Sequence, residues 1–186
     1  MTDRDNILSR YCRMSRRLML PFVTPNSCIA STKVTCDCLQ RFGFNVRPLP
    51  TKLVFMLPDR NLAFSSGLSD AELATARDSR KVFGDGWNGH LVALVDESWL
   101  VDASLDQVND AIPDIALPKE AFLFPVRGAN VDTGFHAKYS VVLDDGQKAT
   151  INYLTTTNET FRETEAWNDE GLDFIAEHIR ERIGGR

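Results

Sequence analysis

Asn26-Ser27-Cys28-Ile29-Ala30-Ser31-Thr32 opens a run that contains neither Gly nor Pro from Cys28 to Phe42 and meets Gly43 at its end. Leu39 and Phe42 continue an apolar face from Thr32 and Thr35, so the spacing predicts a helix that begins at Cys28. Gly43 is the residue type that helix ends use when the chain turns into the left-handed region. Asn26 or Ser27 can accept hydrogen bonds from the first free amides of that helix. The run therefore places a thiol at the positive end of a helix, where an ionised sulfur is favoured.

Working outward, His90–Val95 and Trp99–Ala103 read as short strands joined by Asp96-Glu97-Ser98, a compact hairpin that sets His90 and Asp102 on neighbouring strands. Residues 4 to 19 place Ile7, Tyr11, Met14 and Leu18 at helical spacing, with Arg10, Arg13, Arg16 and Arg17 expected on a solvated face. Asn45–Arg47 and Lys52–Leu57 read as two extended segments separated by Pro48 and Pro50. A helix is expected over about 70 to 82, capped by Ser69 with Glu72 three residues on. The glycine-rich loop Gly84–Gly89 lies between that helix and a strand, the reverse of the order in a phosphate-cradling loop. Residues 105 to 118 read as irregular and Ala121–Val126 as a strand; Ala137–Leu143 and Lys148–Leu154 form a second hairpin. Leu172, Ile175, Ala176, Ile179 and Ile183 mark a terminal amphipathic helix.

The chain has 186 residues, 43% of them hydrophobic, enough for one substantial core and too few for two comfortable ones. A single domain over 1–186 is expected, with a C-terminal hairpin and helix in 105–186. A net charge of −5 argues against a nucleic-acid partner. No apolar run approaches the roughly 20 residues needed to cross a bilayer, and the N-terminus does not read as a leader. Four cysteines, at 12, 28, 36 and 38, show no CxxC pairing, so reduced thiols in a cytoplasmic protein are expected. Cys36 and Cys38, two apart on a helix, point to different sides and read as fillers rather than metal ligands.

A cysteine attacks a carbonyl carbon as thiolate, and near neutrality an ordinary thiol is mostly protonated. Cys28 at a helix start, His90 as acid and base, and Asp102 to orient the imidazole make up an arrangement suited to that chemistry. Asp106 and His136 are the lesser alternatives for the acid and the imidazole. The backbone N–H of Cys28 is the first candidate oxyanion donor; the Asn26 side-chain amide and the Trp87 indole N–H are candidates for the second. Each also has a simpler role, Asn26 as a loop cap and Trp87 as a packed aromatic.

Cys28 and its helix, followed by Cys38-Leu39-Gln40-Arg41-Phe42-Gly43-Phe44-Asn45-Val46-Arg47, resemble the transglutaminase-like superfamily, in which a cysteine-bearing helix runs into a leucine-arginine-x-x-glycine-isoleucine-x-x-arginine segment. Arg47 falls at that pattern's arginine. Gly89–Val95 through Trp99–Asp102 resembles the family's histidine strand and tryptophan–aspartate strand, so the likeness spans about 26–104. The resemblance implies an α+β, papain/transglutaminase-like fold, with the cysteine at the N-terminus of a helix packed on an antiparallel sheet that carries His and Asp. It implies Cys28 as nucleophile, His90 as acid and base, Asp102 as the orienting acid, and no cofactor or metal.

The activity expected is thiol-dependent acyl transfer, hydrolysing an amide, isopeptide or ester bond through a Cys28 thioester. The substrate would be a protein, a peptide or a small acyl compound. An amine acceptor in place of water would make the site a transglutaminase, and an acyl-CoA donor an acetyltransferase, for which the arginine-glycine-glycine before the cysteine is absent. A catalytically silent protein-binding or regulatory module on the same fold is the alternative from another class.

Overall fold

In the computed structural model the described residues are 3–23, 27–57, 61–69, 87–112, 115–126, 136–143 and 146–185. The expected 70–82 helix and the first half of the glycine-rich loop, residues 84–86, lie outside them.

The chain is α+β. Helix α1 (Asp3–Met19) and helix α2 (Cys28–Arg41) precede strands β1 (Val46–Leu57), β2 (Asn61–Ser66), β3 (His90–Val95) and β4 (Trp99–Asp102). A 3₁₀ turn, Leu105–Gln107, leads into the short α3 (Val108–Ala111), so part of the segment read as irregular is helical. Strands β5 (Phe122–Pro125), β6 (His136–Val142) and β7 (Lys148–Thr155) follow, then a 3₁₀ turn at Thr160–Glu163, α4 (Glu165–Asn168) and α5 (Gly171–Gly184).

The strands form one antiparallel sheet in the order β5-β4-β3-β1-β7-β6, with β2 also paired to β1. The sheet curls until its ends meet: Tyr139 on β6 donates its hydroxyl to the Pro125 carbonyl on β5 at 2.9 Å, and its ring stacks on Phe124 at 4.4 Å. Alternation along the strands splits the apolar residues into two cores. Leu53, Phe55, Val92, Leu94, Leu100 and Ile151 fill the inside of the curl. Val46, Ala93, Val95 and Val101 face outward and are covered by α1, α2 and α5 through side chains such as Leu39 and Ile179. Burying one such Leu or Ile contributes roughly 1.5–3 kcal/mol.

Strand β1 departs from the sequence reading: it is one continuous strand through Pro48 and Pro50. The reason is the side on which the missing N–H groups fall. The Pro50 carbonyl accepts from Thr156 N on the β7 side at 3.0 Å, so its ring nitrogen faces that side too. Pro48 shares that orientation, and β7 pairs with β1 only from Thr51 onward. Neither proline removes a ladder bond to β3, which pairs with β1 from Val46 to Thr51.

Helix α1 also differs. Its buried face carries Leu8, Tyr11, Cys12, Ser15, Arg16 and Met19, turned from the expected stripe, so Arg16 is not on the solvated face. Its guanidinium bonds Asp106 at 2.7 Å and donates to Ser31 at 3.1 Å, both contacts buried. Asp106 thereby gives the cationic group a counter-charge inside the protein. Tyr11 donates to Thr35 at 2.8 Å and fastens α1 to α2.

Candidate active site

Helix α2 starts at Cys28 for a local reason: the Ser27 hydroxyl accepts from Ala30 N at 3.2 Å and caps the first turn. It ends as Gly43 requires, with Phe44 N bonded to Leu39 O, Gly43 N to Gln40 O, and Gly43 at φ +81°. Within α2 itself the N–H groups of Cys28 and Ile29 have no helical acceptor, which leaves positive partial charge at the thiol's end. Thr32 donates to Leu91 O at 2.8 Å, locking this first turn to the start of β3.

The hairpin β3–β4 turns through Asp96 and Glu97, both at positive φ near 50°, the geometry of a tight primed turn. Leu94 stands opposite Leu100, so alternation puts His90 and Asp102 on the same face of the sheet. His90 Nε2 and Asp102 Oδ2 are 2.7 Å apart, and both residues are fully buried. Asp102 is satisfied on every side: Tyr153 donates its hydroxyl to Oδ2 at 2.7 Å, while Ser104 donates its backbone N–H and its hydroxyl to Oδ1 at 2.9 and 3.2 Å. The Cys28 side chain lies near enough to the His90 ring to help raise its pKa. Gln107 places its amide nitrogen 3.1 Å from His90 Nδ1. Thr51 donates to the His90 carbonyl at 2.8 Å and fixes the residue's backbone from β1.

Electrostatics inside this cluster run against burial. Burial alone would lower the His90 pKa, but the Asp102 charge, the hydrogen bond to it and the Cys28 contact together raise it to about 10. Burial alone would raise that of Asp102, and the His90 charge with the bonds from His90, Tyr153 and Ser104 holds it below the usual value. Both shifts favour the charged pair, imidazolium with carboxylate. A raised histidine stabilises the fold fully below its unfolded pKa of about 6.5, and the contribution fades as pH rises through about 10. A depressed aspartate acts at the other end: its contribution holds above the unfolded value of about 3.9 and is lost in acid. Urea unfolding from pH 6.5 to 9 should show wild type losing stability faster than His90→Gln, by at most about 1.4 kcal/mol per pH unit. An identical slope in the two proteins would refute the imidazolium. Cys12, Cys36 and Cys38, whose burial pushes each thiol up to about 12, pull the same way only above about pH 9.

Cys28 is 8% exposed. It clusters with Ile29, Trp87, Leu91 and Phe161, against which Ala166 and Trp167 pack. Phe161 meets Trp87 and Trp167 edge to face at 5.7 and 4.9 Å, so the segment between β7 and α5 adds two aromatic rings to the cluster that holds Cys28. Trp167 also lines an open groove of about 560 Å³ with Lys33, Asp169 and Glu170. Trp87 lies across Gly89, where a β-carbon would stand 2.4 Å from the indole, so only glycine admits the ring. Its indole Nε1 is buried with no hydrogen-bond partner among the described residues.

Asn26 lies outside the described residues. Asp106 pairs with Arg16 rather than with His90, and His136 is exposed on β6, 3.3 Å from Asn152, so neither alternative replaces Asp102 or His90. Arg47 makes a two-pronged bond to Glu97 at 2.8 and 3.1 Å, a surface brace beside the β3–β4 turn. Gln107, Tyr153 and Ser104 were missed by sequence reasoning; Ser104 alone carried a signal, a hydroxyl two residues past a strand-end aspartate. Among the described residues no group of three or more His, Cys, Asp or Glu is placed to hold a metal ion. No described helix is long and apolar enough to cross a membrane.

No family model matches the chain, and no curated protein does either. A solved structure described as a genomics target aligns over 97% of this chain and 79% of its own, with a TM-score of 0.51 and 17% identity. At that identity the likeness concerns the fold.

Proposed function

We propose that the protein is a thiol-dependent acyl-transfer enzyme of the papain/transglutaminase-like kind, with Cys28 as nucleophile, His90 as acid and base and Asp102 as the orienting carboxylate. The observation that carries this reading is a buried imidazole bonded to a fully hydrogen-bonded aspartate, with a helix-start cysteine near enough to help raise the ring's pKa. A structural histidine has no need of a thiol on one side and an ionised acid on the other.

In the proposed reaction the Cys28 sulfur, ionised with the imidazolium as its counter-charge, adds to the carbonyl carbon of an amide, isopeptide or ester. Negative charge develops on the carbonyl oxygen, and the Cys28 backbone N–H at the start of α2 is the first donor to it. The Trp87 indole N–H is the second: it is buried in the thiol's own cluster and has no partner there to give up. Collapse breaks the carbonyl–leaving-group bond as the imidazolium gives its proton to the departing amine or alcohol. Water, deprotonated by the now neutral ring, then adds to the thioester, and the acid leaves as the sulfur is released. Transfer to an amine instead of water would follow the same steps.

The test is intact-mass measurement of wild type and Cys28→Ala after exposure to activated acyl esters and peptide probes. One acyl group on wild type and none on the variant is the expected result. A thiol that takes up no acyl group from any probe, in a protein that keeps its fold, would favour the silent binding module.

A further inference from the structure

We propose that Gln107 is a positioning residue for His90, its carboxamide sharing Nδ1 with the reacting partner and turning over as that nitrogen gains or loses its proton, so that the ring keeps one plane in both charge states. The inference deepens the acyl-transfer reading and rests on it for its purpose, though not for its geometry.

The imidazole has two nitrogens and one is committed: Nε2 lies 2.7 Å from Asp102. The other, Nδ1, must serve the chemistry, and it must carry a proton before leaving-group departure and none after it. Gln107 stands 3.1 Å from this atom and is itself 5% exposed. A carboxamide is the side chain that suits both conditions, because it offers an N–H to bare Nδ1 or, after half a turn about its last bond, an oxygen to Nδ1–H. A carboxylate would match only the charged ring, and a methionine neither.

The backbone around Gln107 is held for this purpose. The residue closes the 3₁₀ turn that follows Asp102, its N–H bonded to Ser104 O at 3.0 Å, and its neighbour Asp106 is tied to Arg16 on α1. Ser31, the other partner of Arg16, lies one helical turn beyond Cys28. One buried guanidinium therefore ties the turn that carries Gln107 to the helix that carries the thiol. The groups facing the ring are Asp102 from β4, Tyr153 from β7, Cys28 from α2 and Gln107 from the turn, with the Asp106–Arg16 pair next to Gln107.

A hydrogen bond to an ionised partner is roughly twice as strong as a neutral one, so the wild-type amide favours the protonated ring slightly. Titration of the His90 ring nitrogens by 15N NMR reads the effect directly in wild type, Gln107→Met and Gln107→Glu. The midpoint should fall by about half to one pH unit in Gln107→Met and rise by about one in Gln107→Glu. Midpoints equal to wild type in both variants, or displaced in one common direction, would overturn the proposal, since a packing role moves neither in this opposed way. The Nε2–H resonance of the His90–Asp102 bond reports that each variant is folded around the pair. Failure of acyl transfer at Cys28 would leave this titration unchanged, so the two readings fail separately.

Discussion

Replacing His90 by Asn is expected to lower acyl transfer by about 10²–10⁴-fold, or about 2.7–5.4 kcal/mol of transition-state stabilisation. Two losses combine. The sulfur loses the cation beside it, and the leaving group loses its proton donor. The first loss can be read without a substrate, from the rate of Cys28 carbamidomethylation by iodoacetamide at pH 7. It should fall by at least tenfold in His90→Asn. The measurement is selective because burial pushes the Cys12, Cys36 and Cys38 thiols up to about 12. The comparison across pH fixes the sign. With the ring charged up to about 10, wild-type reactivity that depends on the imidazolium should persist through neutrality and into mild alkali, and His90→Asn should instead rise steadily with pH. Equal alkylation rates and equal turnover in the two proteins would remove His90 from the reaction. Phe161 and Trp167, packed in the cluster that holds Cys28, make small reagents preferable to bulky ones for this comparison.

The parts of the site legible in the sequence are those fixed over short stretches of chain. The α2 start and stop follow from Ser27 and Gly43, and both caps are made by atoms within five residues of each other. The β3–β4 hairpin turns in four residues, and His90 and Asp102, twelve apart, fall on one face by alternation alone. The terminal helix buries Leu172, Ile175, Ala176, Ile179 and Ile183, the positions its period marks. What stayed hidden depends on closure of the whole sheet. Tyr153 reaches Asp102 across 51 residues only because β7 pairs with the far side of β1. Phe161 joins the cluster that holds Cys28 from a segment with no periodic signal. Pro48 and Pro50 look like strand breakers until their neighbours are known, since only the pairing partner decides whether a missing N–H costs a bond. Arg16 was hidden for a related reason: helical period places it near the boundary of the apolar stripe, and a partner 90 residues away decides which side it joins.

Asp106→Ala should destabilise the fold by about 3–5 kcal/mol in urea unfolding, the cost of taking one partner from a buried ion pair. Both side chains are shielded, 1% exposed at Arg16 and 6% at Asp106, so water cannot readily replace the lost carboxylate. The native pair is nonetheless a poor source of net stability. Burial raises the Asp106 pKa even against the Arg16 charge, which means the folded environment disfavours the carboxylate relative to water. The double variant Arg16→Met with Asp106→Leu, which fills the same space without charge, should therefore recover most of the loss. Stability regained without full reactivity at Cys28 would show what the pair is for. Arg16 touches Ser31 in the first turns of the cysteine helix, and Asp106 adjoins Gln107 at the imidazole, so an apolar replacement restores packing and discards the polar tie between those elements. If the double variant matches wild type in both stability and Cys28 alkylation, the buried pair has no part in shaping the site. If it stays as unstable as Asp106→Ala, the charge pair itself, rather than the stranded guanidinium, holds α1 against the turn.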